Sequence, residues 1–168
     1  FKEGAVVRPA EQTLNAGYEF VKLDPTSNAL STDPADINGT TFTGQTSGVT
    51  ARAIEGVQAS GSDPATVYFA YTNAPASQAG AVTVRFTPGE VITNGTSVLT
   101  VQIANTTSNP AVGRGTRLSL GQGIYYVQGY FVFVDAQSTI VSKYTDTPTE
   151  TIGFTINEKI IDVDDDEG

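Results

Sequence analysis

The 168-residue chain contains no histidine, cysteine, methionine or tryptophan. Each absence removes a class of chemistry. Without imidazole there is no side chain whose ordinary pKa suits proton transfer near neutrality. Without cysteine there is neither a thiolate nucleophile nor a disulfide, and zinc sites built from His or Cys are impossible. Without tryptophan the chain lacks the broadest platform for stacking on a sugar ring. Apolar runs are short, far from the ~20 residues a spanning helix needs, so no membrane segment is expected. The sequence starts with Phe1, not Met, and contains no basic-then-apolar signal segment. This reads as a processed product or a piece of a longer polypeptide. Basic residues are scarce, 9 against 18 acids, for a net charge of −9. Five of the acids, Asp162, Asp164, Asp165, Asp166 and Glu167, crowd the last seven positions, and the remainder balances at 13 acids against 9 bases. No basic stripe is available to hold phosphates, which argues against nucleic-acid binding.

What the chain has in quantity is valine, isoleucine and threonine, 51 residues together against only 6 leucines. These side chains lose rotamer freedom in a helix and pack well on a pleated surface. Glycine and proline act as punctuation between short alternating stretches. Val67, Phe69 and Tyr71 alternate with Thr66, Tyr68 and Ala70; Leu99, Val101 and Ile103 with Thr100 and Gln102; Ile152, Phe154 and Ile156 with Gly153, Thr155 and Asn157. Val82, Val84 and Phe86 do the same around Thr83 and Arg85. Each predicts a strand. Asn38-Gly39 and Asn94-Gly95 predict hairpin turns. Ile124–Val134 is nearly all apolar around Gly129, which predicts either a bulged strand or a tight hairpin there. Pro9 and Gly17 bracket Ala10–Ala16 as a helical turn or two. Ser27–Asp36 and Asn105–Gly115 read as polar loops. About ten strands result, at the spacing expected of sandwiches and barrels.

The fold expected is all-β, an antiparallel sandwich or barrel-like arrangement in two small β subdomains after a short irregular N-terminal segment. Residues 1–37 and 104–168 form the main domain in this reading. Residues 38–103 form an inserted small module, and 162–168 an acidic tail.

Several segments carry a family resemblance. Thr43-Gly44-Gln45-Thr46-Ser47-Gly48-Val49-Thr50-Ala51 and Phe86-Thr87-Pro88-Gly89-Glu90-Val91-Ile92 resemble the opening and closing turns of a small β module. Gly123-Ile124-Tyr125-Tyr126-Val127-Gln128-Gly129-Tyr130-Phe131-Val132 is followed by Ser142-Lys143-Tyr144-Thr145-Asp146-Thr147-Pro148. Gly153-Phe154-Thr155-Ile156-Asn157-Glu158-Lys159-Ile160 and the acidic end come next. In this order they resemble structural proteins of contractile-tailed phages, especially those infecting cyanobacteria. The resemblance implies a tail, baseplate, neck-fibre or tail-fibre component in an extracellular virion. It implies contacts with other virion proteins and a homo-oligomer, with a trimer favoured. It carries no catalytic residue.

The remaining candidates for chemistry are few. Asp162, Asp164 and Asp166 alternate like the first ligands of a calcium loop, but Glu167 stands where the turn glycine belongs, so a solvated charge run is expected. Glu55, Asp63, Glu90 and Asp135 are the carboxylates a glycosidase would have to pair. Tyr125, Tyr126 and Tyr130 form the densest aromatic cluster, read as core, with a glycan-binding surface as the other reading. Arg114 and Arg117 read as a solvated loop, or as a contact for a neighbouring chain's carboxylates. Asn38, Asn94 and Asn105 open glycosylation-type triplets that serve here as turns. No residue is assigned as catalytic, cofactor-binding or metal-binding. The function expected is structural; a receptor- or carbohydrate-binding module on a host glycan is the alternative, and a polysaccharide depolymerase the third.

Overall fold

The computed structural model describes residues 5–8, 11–26, 30, 34–73 and 84–157. Among these it is all-β. Its strands are β1 (Val6–Arg8), β2 (Gln12–Lys22), β3 (Thr41–Gly44), β4 (Thr50–Val57), β5 (Thr66–Asn73), β6 (Val91–Thr93), β7 (Val98–Thr100), β8 (Val112–Leu120), β9 (Gly123–Val127), β10 (Tyr130–Val134) and β11 (Gln137–Ser142). One 3-10 turn, Pro34–Ile37, interrupts them. No described helix is long and apolar enough to cross a membrane. The acidic stretch 162–168, Val82 with Thr83, and Pro9-Ala10 lie outside the described residues.

Two antiparallel sheets form. The larger runs β11-β8-β2-β5-β4-β3-β6-β7, the smaller β1-β9-β10. β2 lies inside the larger sheet, paired with β8 on one edge and β5 on the other. The sheet curls until its far end meets β2 again. Leu23 bridges Val101, the Asp24 N–H donates to Thr100 O at 2.9 Å, and the Gln102 N–H donates to Lys22 O at 2.8 Å. Curling consumes the hydrogen-bonding groups that an open edge would expose. Strands from residues 38–103 and from the flanking segments thus share one sheet, β5 against β2.

Period-two alternation then sorts side chains to the two faces of this sheet. Val21, Leu23, Phe42, Ala51, Val67, Phe69, Ile92, Leu99 and Val101 point inward and are buried. Phe69 sits at their centre, edge-on to Phe42 (5.7 Å, 78°) and Phe86 (5.3 Å, 84°), the geometry the ring quadrupole favours. On the outer face Tyr18, Phe20 and Tyr68 form a second cluster, covered by Ile140 and Tyr144. Both faces of β5 are therefore buried over its first half, Thr66–Phe69.

Two expectations fail for the same reason, non-local pairing. Within the expected Ala10–Ala16 turn, the described residues 11–16 form no helix: Gln12–Asn15 are the start of β2, registered against Arg117–Leu120 of β8. Asn105–Gly115 is not loop throughout, because β8 begins at Val112. Its glycines serve close approach. A Cβ on Gly115 would meet the carbonyl oxygens of Lys143 at 2.5 Å and Ser142 at 2.8 Å. Asn38-Gly39 is a turn leading from the 3-10 segment into β3, with Gly39 at φ +79°, and not a strand-to-strand hairpin. Asn94-Gly95 does close the β6–β7 hairpin. Val84–Phe86 lies outside any strand, although Phe86 is core.

The β3–β4 turn is held from a distance. Buried Glu90 accepts hydrogen bonds from the Thr46 and Ser47 N–H groups, from the Ser47 hydroxyl and from the Thr87 N–H. Truncating it would leave several donors unsatisfied in a water-poor site. We expect Glu90→Ala to lower unfolding free energy by about 2–4 kcal/mol. In urea titration this should move the midpoint at constant slope.

Candidate functional site

β9 and β10 form a two-residue hairpin. Gln128 and Gly129 both have positive φ, 47° and 91°, as a turn matched to strand twist requires. The register Tyr130↔Val127 through Val134↔Gly123 runs without a bulge. One face carries Tyr125, Val127, Tyr130 and Val132; the other carries Ile124, Tyr126, Phe131 and Phe133. Apolar residues thus occupy both faces, which is how a fully covered strand is written. Yet Tyr130 is 70% exposed, Phe131 59%, Phe133 54% and Val132 40%. The tyrosine cluster consequently divides. Tyr125 is buried, Tyr126 half-buried, and Tyr130 stands in solvent, contrary to the expected core role.

Beside the hairpin lies a cleft of about 740 Å³ between the small sheet and the β8–β11 end of the large one. Val6, Leu118, Leu120, Ile140, Tyr125 and Phe154 line it, and Glu150 is the sole charged residue among its described walls. Phe154 packs edge-on against Tyr125 (5.2 Å, 70°). The Tyr125 hydroxyl is buried without a hydrogen-bond partner. Burying such a group unsatisfied costs roughly 1–3 kcal/mol. Ile152, Phe154 and Ile156, which predict a strand, belong to a stretch with no strand pairing, exposed throughout.

The polar candidates serve the fold separately. Glu55 accepts from the Tyr18 hydroxyl at 3.1 Å and lies 3.6 Å from Arg117. Asp63 pairs with Lys143 at 3.0 Å. Glu90 holds its turn, and Asp135 is exposed. Arg114 and Arg117 are on β8 and not in a loop. Arg114 joins Arg85 on Glu19, at 2.9 and 2.7 Å. Asn94 caps its own hairpin through Thr96 and Ser97, and the Asn105 side chain accepts from the Ala111 N–H. Among the described residues no three acids cluster as metal ligands; Asp162, Asp164 and Asp166 lie outside them. The amino acids left a bulged strand and a tight hairpin open here, and the hairpin is what forms; the cleft was not legible, because β8, β9, β11 and residues 150–154 meet there only after folding.

The outer-face cluster has an electrostatic signature. Tyr18 and Tyr68 stack at 4.4 Å, and burial pushes both hydroxyls well above the ordinary tyrosine range, with Glu55 adding to it. Burial raises Tyr71 and Tyr144 as well. Burial lowers Lys22, against the opposing pull of Asp63; its ammonium sits 4.1 Å from the centre of the Tyr144 ring. Below pH ~10 these tyrosines are protonated in both folded and unfolded chains. Above it the unfolded chain ionises while the folded one cannot, so stability falls with rising pH. Lys22 acts oppositely between its lowered pKa and the ordinary lysine value, one group against four. Melting temperature should therefore hold through pH 9 and drop beyond pH ~10, with tyrosinate absorbance rising in step with unfolding.

Comparison with protein-family models, with curated proteins and with solved structures finds no match to this chain.

Proposed function

We propose that this chain is a structural module of an extracellular phage appendage, a tail fibre, neck fibre or baseplate. It works through contacts with other virion proteins and with copies of itself, and not by catalysis. The observation that carries this reading is the β9–β10 hairpin, apolar on both faces, whose β10 strand exposes Tyr130, Phe131, Val132 and Phe133. Contiguous exposed apolar surface of this kind marks an interaction site. The segments that resemble contractile-tail virion proteins support it, since Gly123–Val132 builds the hairpin and Ser142–Pro148 follows β11. Three of the four acids that hydrolysis would need are engaged elsewhere, Glu55 with Arg117, Asp63 with Lys143 and Glu90 in its turn, and Asp135 stands exposed.

A receptor- or glycan-binding role draws on one feature. Tyr130 flanks a groove of about 370 Å³ with Gln128, Thr155 and Asn157 among its walls, an aromatic face beside amide groups.

Sedimentation of the whole chain tests the first reading. With a net charge of −9 the copies repel, so association should strengthen as salt screens that repulsion. Phe133→Asp should dissociate the oligomer at least tenfold while leaving the melting temperature of the monomer within a few degrees. A wild-type chain that stays monomeric at high concentration and high salt, yet binds host-surface polysaccharide through Tyr130, would replace it with the second reading.

A further inference from the structure

Thr151–Asn157 is written as a strand and is not one. Ile152, Phe154 and Ile156 alternate with Gly153, Thr155 and Asn157, yet no backbone group of the seven is hydrogen-bonded to any described residue. β11 presents the matching vacancy. Among the described residues it is the terminal strand of the large sheet and pairs with β8 alone. Its sequence, Gln137-Ser138-Thr139-Ile140-Val141-Ser142, carries neither the charge nor the proline by which natural edges repel added strands. β11 and the stretch Glu150–Phe154 line the same cleft, where the Tyr125 hydroxyl is buried without a partner.

We infer that Thr151–Asn157 of one copy adds as a strand to the open edge of β11 in a second copy, with a backbone carbonyl of the added strand accepting from Tyr125. This rests on the contact reading above and names its partner.

Three features select a second copy as the occupant. The donor segment, β10 and β11 contain no charged residue, so copies that repel elsewhere can meet here. A partner chosen by charge would instead answer the acidic body. The exposed surface is also of the right size. Tyr130, Phe131, Phe133 and Phe154 are half to seven-tenths exposed, which at ~150–250 Å² per buried aromatic offers roughly 350–550 Å². Neighbouring Val132, Ile152 and Ile156 extend it toward the ~800 Å² per partner of a standard interface. Finally, strand addition supplies what both sides lack: a ladder for the donor backbone and an acceptor for a buried hydroxyl. Because donor and acceptor are different surfaces, the contact is head-to-tail and closes as a ring, such as a trimer, when the rotation permits.

The absence of cysteine makes the test clean. One copy carrying Thr139→Cys and another carrying Ile156→Cys, each differently tagged, are mixed and oxidised mildly. Neither can form an intrachain disulfide, so a mixed disulfide is expected and reports the contact directly. Amides of Ile152–Ile156 should exchange at least a hundredfold more slowly in the oligomer than in the Phe133→Asp monomer. Tyr125→Phe should weaken association about fivefold, the worth of one net hydrogen bond, without lowering monomer stability. An oligomer that forms with no mixed disulfide and no protection at Ile152–Ile156 overturns the strand addition and leaves the contact reading standing. A chain that is monomeric under all conditions overturns both.

Discussion

β2 is hydrogen-bonded along both edges, and the rest of the structure depends on that. Its length lets it pair with β8 through Gln12–Val21, with β5 through Glu19–Lys22, and beyond its end with Val101 through Leu23. A strand so placed converts a linear series of hairpins into a curled sheet with an inside. Phe42, Phe69 and Phe86 have a common interior only because Leu23 and Val101 meet. The same strand sends Tyr18 and Phe20 to the other face, where the second cluster forms. One register therefore fixes two cores, and a slip of one residue would exchange them.

The molecule divides its apolar residues unevenly. The curled sheet buries its largest aromatic side chains, Phe20, Phe42, Tyr68 and Phe69, and leaves Leu14 and Val98 exposed. The small sheet exposes most of those on β10, and beside it lie Ile152, Phe154 and Ile156, also exposed. Polar chemistry follows the same division. The ion pairs on Glu19, Glu55 and Asp63 bind strands of the large sheet to one another or to the segment that covers it. The hairpin and its flanking segment carry no charge. Charge pairing and exposed apolar surface thus lie at different ends of the fold.

Much of the architecture is legible in the amino acids wherever local chemistry decides. Asn94-Gly95 and Gln128-Gly129 close hairpins with Gly95 and Gly129 at positive φ, and Thr66–Asn73 alternates as a strand must. Legibility fails where a distant partner decides. Leu14 and Asn15 lie in a strand because Leu118 and Arg117 are opposite, not through any propensity of their own. Gly113 and Gly115 look like loop residues, but their lack of a side chain admits the Phe20 ring and the Lys143 carbonyl. Ile152–Ile156 is the reverse case, strand patterning without a ladder. Of the candidate site, the aromatic density at Tyr125–Tyr130 could be read directly. The buried hydroxyl of Tyr125 and the cleft around it could not, because four segments far apart in sequence build them.

The bulge-free β10, with no lysine, proline or kink to deter a neighbour, has a consequence for how durability should be understood. A partner that covered such a strand would bind the folded chain alone, so it would raise the resistance to unfolding by an amount set by its own concentration. Dilution would then work in the direction of a denaturant, by withdrawing that added stability and leaving the fold to its own core.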